Sequence, residues 1–558
     1  MSGILSMIAG GTYSSAPVNT VAPVVSGTAT RGQTLSSTTG TWTGKPDPTF
    51  AYQWQRAGSN IGGATSSTYT LVSADVGNAI RCVVTATNVV AAVSANSNAT
   101  AAVAGVVAGA PTIGSATATG ATTATVSYSA PADNGGLTIT SYTATSSPGG
   151  VTGTLSQAGS GTITVSGLTS DVAYTFTVTA TNSAGTSAAS AASNSVTPIL
   201  QGSLWSWGVN NRGQLGLNSA TYIYGTDGVS SPTQIGSTTT WKLAKTARYW
   251  SWAIKSDGTM WAWGGTQGNG QLGLGVGTQL VSSPTQIGAL TNWLKVSGQY
   301  NPVAIKTDGT IWSWGFGGYG SIGNGSYTSQ SSPVQIGADT NWYQADASSF
   351  NVAAIKTNGT LWMWGKGSFG ALGQNNTAPS PAPVQVGTLT NWLQVSCGQY
   401  WTTAIKTDGT MWSWGRNKKY NLGQGANTIN KSSPVQVGSD TNWSKVATTD
   451  NYGSAAIKTD GTLWLIGTAN YLAAPTQLGA LTNWTSVSAG GEDGAPHQWW
   501  LARTSSGNLY AWGTNVSGYL GLNNTTEISY LSPTLVGSST NWTNLLAAGR
   551  STALAIRT

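Results

Sequence analysis

Charged side chains are scarce in this chain of 558 residues. Asp, Glu, Lys and Arg make up 7% of it, against roughly 25% in an average globular protein. Glutamate occurs only at Glu492 and Glu527, and histidine only at His497. A largely helical chain needs Glu, Lys, Leu and Gln, whereas this one consists mainly of Thr, Ser, Gly, Val and Trp. The composition argues against a helical protein and predicts an all-β one.

Long apolar segments and paired cysteines are also missing. No apolar run approaches the roughly 20 residues that a membrane-spanning helix needs, so we expect no membrane span. The two cysteines, Cys82 and Cys397, lie in different predicted domains and no CxxC spacing occurs, which argues against a disulfide and a metal site. The short apolar patch of residues 4–9 follows no Lys or Arg, so we expect no secretory signal peptide.

The basic excess is small and diluted. Residues 1–199 hold four basic and four acidic side chains, so the whole net charge of +7 falls in residues 200–558. Only Arg416, Lys418, Lys419 and Lys431 cluster locally. A nucleic-acid interface needs a denser patch of positive charge. We therefore predict that nucleic acid is not a partner.

Residues 17–104 show the pattern of a first β-sandwich. Ile80, Cys82, Val84 and Ala86 alternate with the residues between them, and this period of two is typical of a half-buried strand. Trp54 on an earlier strand supplies the expected core aromatic. The segment resembles bacterial immunoglobulin-like domains, with Cys82 unpaired; a generic sandwich would have the same architecture.

Residues 109–198 predict a second sandwich after a linker of small residues. Tyr174, Phe176, Val178 and Ala180 alternate with threonines. Leu168 precedes Tyr174 by the spacing of a tyrosine corner. The segment is similar to fibronectin type III domains, which usually act as spacers.

From residue 200 onward the chain repeats itself. The hydrophobic-Trp-x-Trp-Gly pattern begins at Leu204, Met260, Ile311, Leu361, Met411, Leu463 and Leu509, the last two copies being altered. A proline marker and a lone tryptophan each also occur seven times, and in most units Ala-Ile-Lys and Asp-Gly-Thr precede the tryptophan pair. A period near 50 residues with a hairpin in each unit is typical of a β-propeller.

The two ends of this region complete one another. The chain finishes at Ala555-Ile556-Arg557-Thr558, and the continuation expected from the other repeats stands at residues 201–205. We therefore predict that the C-terminal strand pairs into the first repeat and closes a ring, so that no sheet edge is left open. The fold prediction is two tandem sandwiches followed by a seven-bladed propeller closed by its C-terminal strand.

The repeats resemble those of the regulator-of-chromosome-condensation family. Besides Trp-x-Trp-Gly, the chain carries Gly-x-Leu-Gly at residues 213–216, 270–273 and 370–373. The resemblance covers residues 200–558 and implies a seven-bladed β-propeller. The sixth repeat lacks Gly-x-Leu-Gly after Gly467, so a shorter rim is expected there.

No constellation of catalytic residues stands out, and we expect no enzyme, no metal and no cofactor. A single histidine leaves little room for acid–base or triad chemistry. The aspartates of the Asp-Gly turns are replaced by Asn358 and Gln201 in other repeats, which indicates turn formers. Glu492 and Asp493 near His497 could form a hydrolytic site, but an ordinary loop is the preferred interpretation.

One repeated position suggests a ligand-binding face. In five repeats the candidates lie shortly before Ala-Ile-Lys, where an aromatic is followed by a residue that varies between repeats, and the next repeat offers Trp499 and Trp500. Such residues suit stacking on sugars and hydrogen bonding to their hydroxyls, although the aromatics could instead fill blade interfaces. The candidates are Tyr249, Trp250, Tyr300, Asn301, Phe350, Asn351, Tyr400, Trp401, Tyr452, Trp499 and Trp500.

The domain order favours a stalk that presents a binding head. Residues 1–16 are interpreted as a docking peptide for a phage tail or capsid protein, and the propeller as the part that binds a host-surface glycan or protein. The leading hypothesis is a non-enzymatic phage virion protein, a tail or capsid fibre, located in the particle. A secreted bacterial adhesin at the cell surface is the alternative, and an intracellular exchange-factor-like propeller is third, because fold alone does not carry function.

Overall fold

The computed structural model describes residues 13–170, 172–219, 228–265, 267–277, 280–450, 452–467, 472–491 and 497–558. The side chains of residues 544 and 545 are not described. The chain divides into two compact units, Met1–Ile199 and Leu200–Thr558. Within the described residues, no helix is long and apolar enough to cross a membrane.

In the first unit, residues 13–170 and 172–199 form strands and one short 3-10 turn, Ser73–Asp75. Its strands are β1 (Ser15–Val21), β2 (Val25–Ser26), β3 (Thr34–Ser37), β4 (Thr41–Lys45), β5 (Thr49–Arg56), β6 (Ser59–Asn60), β7 (Thr68–Thr70), β8 (Ile80–Thr87), β9 (Ala92–Asn96), β10 (Thr112–Ala118), β11 (Thr123–Ser129), β12 (Ser141–Ser147), β13 (Thr152–Leu155), β14 (Gly161–Ser166), β15 (Thr175–Asn182) and β16 (Gly185–Thr186).

These strands form two sandwiches. The first has the sheets β2-β3-β7 and β6-β5-β8-β9 and the pair β1-β4, and the second has β10-β11-β14 and β13-β12-β15-β16. Of the predicted docking peptide 1–16, residues 1–12 lie outside the described part of the chain, and β1 begins at Ser15, before the predicted domain boundary.

The first sandwich is built around Trp54. Its ring is fully buried, its strand pairs Trp54 with Cys82, and its indole Nε1 donates a 2.9 Å hydrogen bond to the Ser66 carbonyl. The buried carboxylate of Asp75 accepts hydrogen bonds from Arg56 Nε at 2.7 Å and from the Tyr69 hydroxyl at 3.0 Å. This pairing raises the pKa of Arg56.

Cys82 and Cys397 are both free and buried.

The second sandwich shows the predicted corner. The Tyr174 hydroxyl accepts a 3.0 Å hydrogen bond from the Thr169 backbone N–H, which ties the start of β15 to the preceding loop. Phe176, Val178 and Ala180 are buried as the alternation predicted. The pattern of period two is therefore enough to orient this strand.

The second unit has seven four-stranded antiparallel sheets. Sheets 1 to 3 are β19 (Trp241–Thr246), β20 (Trp250–Lys255), β21 (Met260–Gly265) and β22 (Leu280–Gln286); β23 (Trp293–Gly298), β24 (Pro302–Lys306), β25 (Ile311–Gly315) and β26 (Gln330–Gln335); and β27 (Trp342–Ala347), β28 (Asn351–Lys356), β29 (Leu361–Gly365) and β30 (Ser380–Gln385).

Sheets 4 to 6 are β31 (Trp392–Cys397), β32 (Trp401–Lys406), β33 (Met411–Gly415) and β34 (Lys431–Gln436); β35 (Trp443–Thr448), β36 (Gly453–Lys458), β37 (Leu463–Gly467) and β38 (Leu472–Gln477); and β39 (Trp484–Gly491), β40 (Gln498–Thr504), β41 (Leu509–Asn515) and β42 (Ile528–Leu535). Two 3-10 turns, Gly318–Gly320 and Ser368–Gly370, follow β25 and β29.

Sheet 7 joins the two ends of the second unit. It consists of β17 (Ser203–Val209), β18 (Gly228–Gln234), β43 (Trp542–Ala548) and β44 (Thr552–Arg557). Their order is β18-β17-β44-β43, and Leu204 lies opposite Ile556 in antiparallel register. The sequence next to the C-terminus therefore takes the place that the second strand holds in every other sheet.

In sheets 1 to 4 and in sheet 7, a tryptophan joins the sheet to the one before it. The second indole of Trp-x-Trp-Gly is buried, and Trp314 Nε1 donates a 3.0 Å hydrogen bond to the Gln271 carbonyl of the preceding sheet's loop. Gly273 allows this approach, because a Cβ built there would lie 2.9 Å from Trp314 Nε1, and its φ is +73°. The Gly-x-Leu-Gly motif is thus explained by packing against the next tryptophan.

Candidate functional site

The second unit has two chemically different faces. In sheets 1 to 6 the four strands follow one another as a meander, so the loops after the first and third strands lie at one end of the sheet. We call this end the loop face. The Asp-Gly turns and the connections to the next sheet lie at the opposite end, the turn face.

The first strands of the sheets surround a central cavity. They contact one another in cyclic order, from β19 through β23, β27, β31, β35 and β39 to β43 and back to β19. The cavity has a volume of about 300 Å³ and is lined by all seven strands. Asp346 accepts hydrogen bonds there from Ser297, from Ser396 at 3.3 Å and from the Cys397 backbone N–H at 2.8 Å. These bonds link neighbouring strands. Burial raises the pKa of the Cys397 thiol.

Five of the predicted aromatics form a row on the loop face. The first candidate position of sheets 1 to 5 is half-exposed in every case. The ring of Phe350 lies between Tyr300 and Tyr400, with centroid distances of 6.1 Å and 5.9 Å. We call this row the aromatic arc; it consists of Tyr249, Tyr300, Phe350, Tyr400 and Tyr452.

Cations are seated among the rings of the arc. Lys366 Nζ lies 4.8 Å from the centroid of Phe350 and 5.2 Å from that of Tyr400. Arg416 Cζ lies 5.7 Å from Tyr400 and 5.9 Å from Tyr452, and so bridges two sheets. At the other end, Arg248 stacks on Tyr249 at 4.7 Å and donates a hydrogen bond to the Tyr300 hydroxyl. Cation–π contacts of this kind are electrostatic and leave the charge in place.

The second candidate position is not exposed, which corrects the prediction of a ligand contact there. Trp250 is 0% and Trp401 1% exposed, and both head the second strand of their sheets. The Trp250 indole packs edge-on against Tyr300 and donates to the Gln299 carbonyl at 2.8 Å. Asn301 and Asn351 are likewise fully buried. These side chains fill the space between neighbouring sheets and cannot stack on a sugar.

The interpretation of the two candidates in sheet 6, Trp499 and Trp500, also changes. Trp499 lies opposite Gly513, as Trp250 lies opposite Gly264, so Trp499 holds the second position and Gln498 the first. Trp500 is one residue further along and pairs with Trp512 in parallel stacking at 5.8 Å. Both tryptophans are buried. The arc therefore ends at sheet 5, because sheet 6 has no aromatic at its first position.

Two further aromatics, Tyr319 and Phe369, lie on the same face and were not among the predicted candidates. Tyr319 and Phe369 are 42% and 38% exposed, and each stands immediately before the first glycine of the Gly-x-Leu-Gly region of its sheet. Their φ angles are 63° and 61°, and Tyr420 has φ 58°. Bulky residues rarely adopt this left-handed conformation, which costs on the order of 1 kcal/mol. The signal in the sequence was an aromatic before glycine in successive repeats.

The single histidine lies in sheet 6, which contributes no aromatic to the arc. His497 Nε2 and Glu527 Oε1 are 3.1 Å apart, and the carboxylate is largely exposed. Glu492 and Asp493, which would complete the considered hydrolytic site, lie outside the described residues. The pair by itself holds two loops of sheet 6 together.

Comparisons with known proteins identify the repeats and the second sandwich. The regulator of chromosome condensation (RCC1) repeat model matches residues 201–246, 308–355, 358–405, 408–455 and 506–556, and a second RCC1 repeat model matches residues 392–421. The fibronectin type III model matches residues 109–196. The chain therefore contains RCC1 repeats and a fibronectin type III domain.

Solved structures give the same fold for the second unit. Human WBSCR16 is 17% identical, with a TM-score of 0.56 over 64% of this chain and 98% of that one. Prp20p from Saccharomyces cerevisiae is also 17% identical, with a TM-score of 0.56 over 64% of this chain and 92% of that one. The second unit is thus similar to RCC1 β-propellers, and an identity this low carries the fold alone.

Proposed function

We propose that this protein is a non-enzymatic phage virion component in which a closed seven-bladed propeller is the binding head. In this proposal the N-terminal region docks onto a tail or capsid protein, and the loop face binds the host surface. The seven four-stranded sheets and the pairing of β17 with β44 support the closed ring. The aromatic arc is the observation that carries the binding role, because partly exposed rings and cations lie side by side along the loop face.

The core chemistry suits a protein whose folding does not depend on the redox compartment. Both cysteines are free and buried, so none of the three domains depends on a disulfide. Buried tryptophans join the sheets instead. A virion protein meets these conditions, since it folds in the host cytoplasm and leaves with the particle.

An exchange-factor-like propeller is the second candidate. It rests on the fold shared with Prp20p, whose crystal structure was described together with its binding to Gsp1p and histones. At 17% identity that binding does not transfer to this chain. The fibronectin type III domain favours surface display, which leaves the virion first and a secreted adhesin as the other surface alternative.

Immuno-electron microscopy of purified particles tests the proposal. Antibodies against residues 200–558 should label the tail or capsid of particles from a lysed culture, and mass spectrometry should find the chain in those particles. Label on the surface of uninfected cells, with none on particles, would instead establish the adhesin, and label confined to the interior of uninfected cells would establish the exchange-factor-like alternative. Either result would overturn the virion assignment.

A further inference from the structure

Two cations of the aromatic arc, Lys366 and Arg416, keep the hydrogen-bonding capacity of their side chains unused. The side chains of Lys366 and Arg416 form no hydrogen bond and no ion pair with any residue that the structure describes; their contacts are with aromatic rings. A ring attracts a cation but accepts none of its N–H groups in a conventional hydrogen bond. Both groups are thus positioned by packing while their donors remain available.

The carboxylates near this end of the unit are engaged elsewhere. Asp346 accepts its hydrogen bonds inside the central cavity. Asp450 is 8% exposed and accepts a 3.4 Å hydrogen bond from Ser349. The aspartates of the Asp-Gly turns belong to the opposite face. Glu527, in a loop of sheet 6, pairs with His497 at 3.1 Å. None of the carboxylates that the structure describes forms an ion pair with Lys366 or Arg416.

The exposed rings alternate with the cations. Tyr319 packs edge-to-face on Phe350 at 5.5 Å and carries Lys366 at 4.3 Å. Phe369 packs in the same way on Tyr400 at 5.4 Å and carries Arg416 at 4.8 Å. Two neighbouring sheets thus present the same unit, an exposed ring with a cation over it. Repetition of the unit suits a ligand that is itself a repeating chain.

From this geometry we propose that the arc binds an anionic polysaccharide, which deepens the proposed attachment function and rests on it. The carboxylate, sulfate or phosphate groups of such a chain would pair with Lys366 and Arg416. The apolar faces of its sugar rings would lie on Tyr319 and Phe369. Binding that depends on exposed charges weakens as the salt concentration rises, because the ions screen those charges.

A single-stranded nucleic acid fits the surface less well. Its bases need free aromatic faces for stacking. The rings of Tyr300, Phe350 and Tyr400 already lie against one another, and Lys366 and Arg416 each occupy one face of the two exposed rings, so no continuous run of free faces is available. A polysaccharide does not need such a run, because its hydroxyls and acidic groups accept hydrogen bonds from the donors between the rings.

Binding of three defined polymers to the immobilised full-length protein tests the proposal. Alginate supplies a polyuronate, dextran a neutral polysaccharide and poly-dT a polyanion with bases. We expect alginate to bind, dextran not to bind, and the alginate Kd to rise as NaCl is increased from about 50 mM to about 300 mM. The variant Lys366→Gln with Arg416→Gln should weaken alginate binding by at least about ten-fold.

A charge-matched control separates the arc from the net charge of the molecule. Lys45→Gln with Lys445→Gln removes two exposed cations outside the arc, and its alginate Kd should change by less than about two-fold. An equal loss in both double variants would overturn the assignment of the site. Absent alginate binding, equal binding of dextran, or tighter binding of poly-dT would overturn the assignment of the ligand.

Glycine substitutions test the exposed rings without demanding a strained backbone. Tyr319→Gly with Phe369→Gly places glycine where φ is 63° and 61°, a conformation that glycine adopts freely. We expect an unchanged or higher melting temperature together with at least about five-fold weaker alginate binding. Wild-type alginate affinity in this variant would contradict the proposal. Particle labelling by the antibody is independent of these results, so failure of the ligand and failure of the virion assignment are distinguishable.

Discussion

At the scale of single residues, neighbours in the chain have opposite roles. Tyr400 is half-exposed on the loop face, whereas Trp401 heads β32 and is 1% exposed. The reason is the element to which each belongs: Tyr400 lies in the loop that precedes β32, whereas Trp401 is the first residue of the strand. A residue that varies between repeats can therefore be a filler of the space between sheets rather than a ligand contact.

Trp401→Ala tests this assignment. Removing a fully buried tryptophan from a packed interior should lower the free energy of unfolding by about 3–5 kcal/mol. Leu531→Ala is the control, since Leu531 is 77% exposed, and it should cost less than about 0.5 kcal/mol. Urea unfolding followed by circular dichroism measures both. Wild-type stability of the Trp401 variant would contradict its place in the core.

At the level of elements, the Ala-Ile-Lys and Asp-Gly-Thr segments form one hairpin turn, which is held by hydrogen bonds and by a contact between the lysine and a tryptophan ring. In sheet 4, Asp408 Oδ1 accepts from the Thr410 backbone N–H at 2.9 Å and from its hydroxyl, and Thr410 Oγ1 accepts from Trp412 Nε1 at 2.9 Å. Lys406 Nζ lies 3.6 Å from the Trp412 ring centroid, and burial lowers the pKa of Lys406. The aspartates are thus turn formers, as predicted.

Acid should weaken these turns. The Thr hydroxyl and then the Thr backbone N–H lower the pKa of Asp308, Asp408 and Asp460 below 3.8. A depressed pKa in the folded state adds stability above the unfolded value, and this stability is lost as pH falls through the folded pKa. We therefore expect the melting temperature to drop below about pH 4.

One repeat of the chain already carries asparagine at the position of these aspartates. Asn358 forms the same turn, accepting from Thr360 at 3.2 Å and 2.8 Å, without a titrating group. Replacing the three aspartates by asparagine should flatten the fall in melting temperature, whereas Asp47→Asn at an exposed site should not. The effect is small, because exposed carboxylates are screened by water. An equally steep fall in the triple variant would show that other groups control acid stability.

At the scale of the whole molecule, the C-terminal strand takes an inner place in its sheet. β44 pairs with β43 on one side and with β17 on the other. Leu554 and Ile556 are fully buried, and Arg557 Cζ lies 3.9 Å from the Trp205 ring centroid. The strand therefore connects residues that are more than 300 positions apart in the chain.

Deletion of residues 554–558 tests this connection. It removes most of a central strand, leaves β17 with an unpaired edge, and exposes the packing surfaces of both neighbours. We expect a clear drop in the melting temperature of the second unit and concentration-dependent association through the open edge. The point variant Thr558→Ala should melt as the wild type does. A truncated protein that keeps the wild-type melting temperature and stays monomeric would contradict a structural role for the strand.

The all-β class, the fibronectin type III domain and the RCC1 repeats could all be predicted from the order of the residues. These are local or periodic properties: alternation fixes which strand face is buried, and repeated tryptophan, glycine and Asp-Gly positions mark each unit. Only the tertiary structure decided which aromatics are available to a ligand. Exposure of Tyr319 depends on a left-handed turn, and burial of Trp250 and Trp401 depends on the adjacent sheet. Both are set by contacts between repeats, which a pattern within one repeat does not contain.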